Sequence, residues 1–369
     1  MITHPHKARR SVSTNIPRRS ITRTALVAVS SLSTLIGSAV VMTASPAFSA
    51  PSSQGYQGLH VRVLAVGVHG NLKPDDIAVL GSALFVGFQN GVGSKGEAAS
   101  GTGATTSTIV EYVGKKMVKS WSITGKCDGL GANPGSGDLI ATVNEDGSSS
   151  MYTIHPATNT VTHYTYSVNP TSLGGGGTDA ITVVDGKILI SGSAPNSGTA
   201  PAVYVVTLDP STSVATLTTF FKDNASAKSG TTMAILALTD PDSSTLVPSS
   251  SPVFGGDFAL NSQADQKVIF ASHVASGRPE LTMLPIGAQI DDLTWATSAK
   301  GSLYMTDNTT GTIYQITGDF TPGTAFVDTA SDSNVPGMIA TLNLTTGQLM
   351  PVLVGFSNPH GLMFVPSVK

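Results

Sequence analysis

Cysteine is almost missing: Cys127 is alone in 369 residues, so no internal disulfide can form and the core must hold unaided. No His lies near it in sequence to activate the thiol, and it reads as a small buried residue at the start of a strand. Charged residues make up only 12% and aromatics 6%, against 40% hydrophobic residues and 39 glycines. That balance excludes a disordered chain and describes a Gly-punctuated globular one. No long amphipathic helix, heptad repeat or interdomain linker is present. Also missing are the G-x-S-x-G elbow, the phosphate-binding P-loop and H-E-x-x-H, which removes three common catalytic or nucleotide-binding arrangements. The Gly174 to Gly177 run leads into a strand-like stretch rather than a helix, so it is no phosphate cradle.

The start of the chain has its own character. Lys7, Arg9, Arg10, Arg18, Arg19 and Arg23 form a basic stretch, followed by the apolar run Ala25 to Met42 and small residues from Ser45 to Ser49. This predicts an export signal over residues 1–50, cleaved near 47–50, and one domain over 51–369. A retained membrane anchor fits less well, because four Ser, one Thr and one Gly interrupt the run. Arg18-Arg19 suggests a twin-arginine signal, which Thr22 fits poorly. Residues 1–50 hold 6 of the 20 Lys and Arg and none of the 23 Asp and Glu. Without them the chain has 14 basic groups against 23 acidic ones, a net charge of −9, which argues against a nucleic-acid partner and favours cations or neutral ligands.

What is abundant is repetition. Ile290 to Gly318 reads as a three-strand meander, with strands at Asp291 to Ala296, Ser302 to Thr306 and Thr312 to Thr317. Similar first-strand starts recur at Asp75, Asp128, Asp179, Gly256-Asp257 and His360. With Asp291 they lie 53, 51, 77, 35 and 69 residues apart, and a second strand ending in polar residues recurs after the starts that precede His360. Such spacing in an all-β chain predicts a β-propeller, most simply six blades of four antiparallel strands. His360 to Val365 lacks strands to finish its blade, and Leu59 to Val68 is an outer-type strand with no blade before it. Pairing the N- and C-terminal strands would close the ring and remove free edges.

In such a blade the loop into the first strand and the loop between second and third strands share one face. Asp75, Asp128, Asp179, Asp291 and His360, with Asp257 one register later, would then ring the channel mouth, and Asn90, Asn144, Glu145, Asp307 and Asn308 would surround them. Converging carboxylate and amide oxygens suit a hard divalent cation, Ca²⁺ or another. The expected metal set is Asp75, Asp128, Asp179, Asp291, Asn144 and Asp307, with no organic cofactor. The competing reading is architectural: an Asp at a strand start also fixes its turn by accepting backbone N–H groups, and recurrence in every blade favours that role. His360 and Asp292 break the pattern and are the candidate catalytic residues. The polar loop Gly91 to Ser107 reads as a lid or a mobile segment, and His60, His69, His155, His163 and His273 as strand or surface residues. Asn224, Asn308 and Asn343 match glycosylation sequons at a rate expected by chance in so Ser/Thr-rich a chain.

Asp128-Gly129-Leu130, Pro359-His360-Gly361-Leu362 and Leu303 to Asp307 with Ile313 are similar to the cadence of the six-bladed propeller superfamily of NHL-repeat, gluconolactonase-like and strictosidine-synthase-like proteins. The resemblance covers most of residues 58 to 366 and implies an axial divalent metal in the lactonase branch and partner binding in the NHL branch. In that branch the resemblance implies a Glu, an Asn and an Asp holding the metal; here no Glu stands at a first-strand start, and no Asn-Gly pair precedes one. The expected function is therefore an exported monomeric propeller that binds a small molecule, or an extracellular protein or glycan, through its loop face. It needs no nucleic acid and, after signal cleavage, no membrane. The alternative, a metal-dependent hydrolase or lyase of a small lactone or ester, stays open on the sequence.

Overall fold

Short apolar runs broken by Gly, Asn and Asp turns put the chain into strands, and the only helical turns among the described residues are 3₁₀ segments at Pro170–Leu173 and Val274–Ser276. A computed structural model describes residues 52–53, 58–67, 71–196, 198–330 and 335–367. The expected export signal, Val68 and His69 lie outside the described residues, and every described strand belongs to the unit Ser49–Lys369.

The strands form antiparallel meanders. The first runs through Pro74–Leu80, Ala83–Phe88, Thr106–Val113 and Lys116–Thr124. The second begins at Cys127–Asn133 and ends at Thr160–Tyr166; the third begins at Thr178–Val184 and ends at Val214–Lys222. These two merge into one eight-stranded sheet, because their outer strands pair in parallel at Thr165–Val214 and Tyr166–Ala215. The fourth starts at Pro241–Leu246, runs through Phe258–Ser262 and Lys267–Ser272 to Glu280–Pro285, and is widened by a hairpin, Ser226–Ser229 and Thr232–Ile235.

The inner strands Pro74–Leu80, Cys127–Asn133, Thr178–Val184, Pro241–Leu246, Leu293–Trp295 and Pro359–Pro366 pack against one another in that order, and the last returns to the first. Sheets arranged radially around a closed circle of inner strands make a β-propeller. Burial follows from this. Second strands lie between neighbouring sheets and are covered on both faces, so Ala83–Phe88 is buried throughout. Outer strands such as Lys116–Thr124 bury only Trp121 and Ile123. The core is correspondingly split into wedges, one between each pair of neighbouring sheets. Phe85, Ile109 and Trp121 meet Leu139 and Ile154, and further round Val86 and Phe88 meet Leu64 and Ile313.

The expected meander at Ile290 to Gly318 is divided between two sheets. Leu293–Trp295 pairs with Ala325–Thr329, not with the strand that follows it. Lys300–Asp307 and Thr312–Asp319 instead sit between Pro359–Pro366 and His60–Val66. The two strands expected to close the ring, His60–Val66 and Pro359–Pro366, thus share one sheet, but on opposite edges and joined through this inserted hairpin rather than paired directly, while the short Ser52–Ser53 strand before them pairs with Leu349–Phe356. The hairpin supplies the strands the C-terminal blade lacked.

Adjacent inner strands are joined through hydroxyl groups of second strands. Thr142 Oγ1 donates to the Asp179 carbonyl at 2.7 Å, and Thr306 Oγ1 does the same to the Asp75 carbonyl at 2.7 Å. Thr306→Val keeps the shape and removes this buried donor, so a loss of about 1–3 kcal/mol in denaturant unfolding is expected. An unchanged midpoint would mean the hydroxyl carries no such load.

Candidate axial site

Each inner strand carries an Asp or His at its entrance, as its second residue in five strands and just before Leu293–Trp295 in the sixth. The circular arrangement turns Asp75, Asp128, Asp179, Asp242, Asp291 and His360 into one axial chamber of about 220 Å³. Five of these six were expected from the sequence. The sixth is a correction: Asp257 precedes a second strand, Phe258–Ser262, and Asp242 holds the inner-strand position. A signal for it exists, because Pro241-Asp242 repeats the step of Pro74-Asp75 and Pro359-His360. The polar Ser243-Ser244-Thr245 that follows hides it from an apolar pattern search.

The loops between second and third strands contribute Gln89, Glu145, Gln263 and Asn308 to the chamber, and Lys126 reaches in from the residue before an inner strand. Asn144 and Asp307, expected as metal ligands, are not brought to it. Asn144 has a left-handed backbone (φ 65°), and its Oδ1 accepts Lys126 N at 3.0 Å. Asn90 does the same for Leu72 N at 3.0 Å, so both asparagines fix the turn that presents the next residue, Glu145 in one case. Asp307 is fully buried and accepts Thr310 N and Ser357 N, which holds the turn around it. Gly91 to Ser107 is folded, with Val92 and Ala99 buried and Asp146 N donating to Ser94 O at 3.1 Å. It buttresses the Glu145 turn rather than standing free as a lid.

Two intrinsic cations answer part of the charge. His360 Nδ1 lies 3.1 Å from Asp291 Oδ2 and 3.3 Å from Asp75 Oδ1. Burial alone would lower its pKa, but Asp291, Asp75 and Asp328 outweigh that and raise it to about 10. These carboxylates favour a proton on Nδ1, while Nε2 faces Asn358 Nδ2 at 2.8 Å, so both ring nitrogens are engaged and neither is free to act as the expected base. Lys126 Nζ lies 2.7 Å from Asp128 Oδ1 and 2.5 Å from Glu145 Oε1. Burial opposes its charge too, and Asp128, Glu145 and Asp75 together hold the proton on. Gln89 Nε2 donates to Asp75 at 2.5 Å and Gln263 Nε2 to Asp291 at 3.0 Å.

Asp292, expected to stand out, has a counterpart. Its Oδ2 accepts Leu362 N at 2.6 Å from the next inner strand, as Asp76 Oδ2 accepts Leu130 N at 2.8 Å. Each strap reaches the N–H just after a glycine, Gly361 or Gly129, so Asp-Asp on one strand and Asp/His-Gly-Leu on its neighbour are matched halves. Burial raises Asp292 to about 7 even though Leu362 N and Leu293 N favour the charged form. Burial likewise raises Asp75 to about 6, moderated chiefly by His360. Asp76, Asp128, Asp179 and Asp242 are also pushed upward, first by burial and then by their acidic neighbours.

Asp76, Ser243 and Asp292 also line a second cavity of about 280 Å³ further along the axis, walled by apolar side chains such as Ile77, Leu130, Ile181 and Leu362. A wider groove of about 930 Å³ lies at the periphery beside Met338, Leu342 and Leu349 and has no ionisable side chain. The axis is where the chemistry can be.

No family model and no curated protein matches the chain. Among solved structures it is similar to the periplasmic gluconolactonase of Pseudomonas aeruginosa at 14% identity and TM-score 0.45, over 79% of this chain and 88% of that one. It is also similar to a streptogramin B lyase at 10% and 0.40, over 86% and 90%. A third is a putative 6-phosphogluconolactonase from Bacteroides uniformis at 14% and 0.41, over 77% and 85%. At these distances none of them lends its activity to this chain.

Proposed function

We propose that the chain is a six-bladed propeller, exported by its basic and apolar N-terminal segment, that binds a cationic ligand in the axial chamber. One observation carries this reading. Eight carboxyl groups, Asp75, Asp76, Asp128, Glu145, Asp179, Asp242, Asp291 and Asp292, line a cavity of about 220 Å³ with only Lys126 and His360 to answer them. Ionised together, the carboxylates repel, and a bound cation relieves them. A resident divalent metal fits less well: among the described residues no three Asp, Glu, His or Cys side chains cluster closely enough to ligate one. The test is thermal unfolding at pH 8 with CaCl₂, MgCl₂ or ethylammonium chloride against NaCl at matched ionic strength. At least one cation is expected to raise the melting temperature beyond the NaCl control, and no shift with any of them refutes the reading.

A second reading, turnover of a small lactone or ester, is favoured by Asp292, which has Asp76 as its counterpart on another inner strand. It lines both cavities and titrates near neutral pH, where a general acid or base works well. A screen of lactones and aryl esters tests it: hydrolysis lost in Asp292→Asn supports it, and no hydrolysis of any of them refutes it.

A further inference from the structure

The six inner-strand positions around the chamber are not electrostatically equal. Asp75, Asp291 and His360 satisfy one another, and Asp128 holds Lys126. Asp179 and Asp242 are left. Neither side chain has a hydrogen-bond donor or an ion-pair partner among the described residues, although Asp179 is only 6% exposed and faces the chamber. They are neighbours: their strands pack together, and the Thr182 and Ser244 hydroxyls join those strands at 2.8 Å. Asp179 is buried and Asp242 half-buried, and the carboxyls of both open onto the chamber, so whatever satisfies them must sit inside it. Their lack of partners among the described residues also rules out the turn-fixing role at these two positions, since neither carboxylate accepts a backbone N–H.

We propose that Asp179 and Asp242 form the seat for the cationic group of a small organic ammonium compound. The proposal rests on the reading that the chamber binds a cation, and it says where and of what class. A hard divalent ion wants six to eight oxygens at about 2.3–2.6 Å, whereas an ammonium needs only two or three acceptors, which two carboxylates supply. No third acidic or imidazole side chain clusters with this pair to complete a metal shell. The chamber's 220 Å³ is room for roughly seven waters' share of liquid volume, or for one compact organic cation in their place.

The experiment measures ethylammonium binding at pH 8 by saturation-transfer NMR and by thermal shift against matched NaCl, in the full exported chain and three variants. Asp179→Asn and Asp242→Asn are each expected to weaken binding roughly tenfold or more, the size of one lost charge-assisted hydrogen bond. Asp257→Asn, which lies outside the chamber, is expected to leave binding unchanged. Binding that survives both chamber substitutions overturns the seat and leaves the cation reading standing, as does a response to Ca²⁺ or Mg²⁺ with none to ethylammonium. No response to any cation overturns both. Should an amide variant misfold, calorimetry of the unaltered protein in two buffers of different ionisation enthalpy, repeated across pH 5–8, decides instead. Proton release on ethylammonium binding is expected, and its absence overturns the seat.

Discussion

Between pH 5 and pH 8 the melting temperature of the ligand-free protein is expected to fall, by about 5–10 °C, where acid-sensitive proteins show a rise. The sign follows from the axis. Asp75 titrates at about 6 and Asp292 at about 7 in the fold, against 3.8 for a free side chain. The folded state thus binds more protons than the unfolded chain between about pH 4 and pH 7, so the contribution of these two carboxyls drops as pH rises through that window and then levels off. Each tenfold change in proton affinity is worth about 1.36 kcal/mol, so together they cost on the order of several kcal/mol at pH 8. His360 adds to the slope: raised to about 10, it contributes stability below pH 6.5 that is lost as pH climbs through 10. His163 opposes this, since burial lowers its pKa and its penalty eases as pH rises, but it is an exposed side chain and the effect is screened; the lowered carboxyls Glu97 and Asp209 act only at more acid pH. Circular-dichroism melts across this range check the prediction. A melting temperature that rises toward pH 8 would show that the carboxyls are already ionised and compensated.

The largest single-residue effect is expected at Gly361. Its backbone is not in the left-handed region, so the demand for glycine is one of space: a Cβ would fall on the Asp75 carbonyl oxygen and within 3.0 Å of Asp76 Cα. Both obstacles are backbone of the neighbouring inner strand and cannot swing aside. Gly361→Ala therefore pushes apart the two strands at which the circle closes, weakening the Thr306 bond to the Asp75 carbonyl and the Asp292 strap to Leu362 N. Overpacking with these losses is expected to cost about 3 kcal/mol or more in denaturant unfolding. Gly129→Ala repeats the clash, against the Asp179 carbonyl, and should behave alike. Ala180 holds the same position on the third inner strand with its Cβ in place, so the tightness belongs to the two glycine strands. A melting temperature within a degree of the parent in Gly361→Ala would contradict this steric origin.

Much of this was legible from residues alone, because it depends on short stretches of chain. Alternating apolar residues and turn residues mark strands, and the recurrence of Asp or His at their starts identified Asp75, Asp128, Asp179, Asp291 and His360 as equivalent before any fold was known. The two orphan ends pointed to a shared sheet for the same reason. Asn144 and Asp307 were misplaced because an oxygen-bearing side chain near a loop face reads alike whether it points to the axis or turns back to hold its own turn.

Sequence determined the repeat, the acidic residue that begins it and the need for a closed ring, since each is written within a few consecutive positions. Tertiary structure decided the rest: that Leu293–Trp295 pairs with Ala325–Thr329 across an inserted hairpin, that Asp242 and not Asp257 faces the axis, and that Lys126 and His360 pair with some of the acids and leave Asp179 and Asp242 without partners among the described residues. The physical reason is distance along the chain. Strand partners and ion pairs form between residues tens to hundreds of positions apart, and which ones meet depends on how the wedges of core pack, a property no local pattern records.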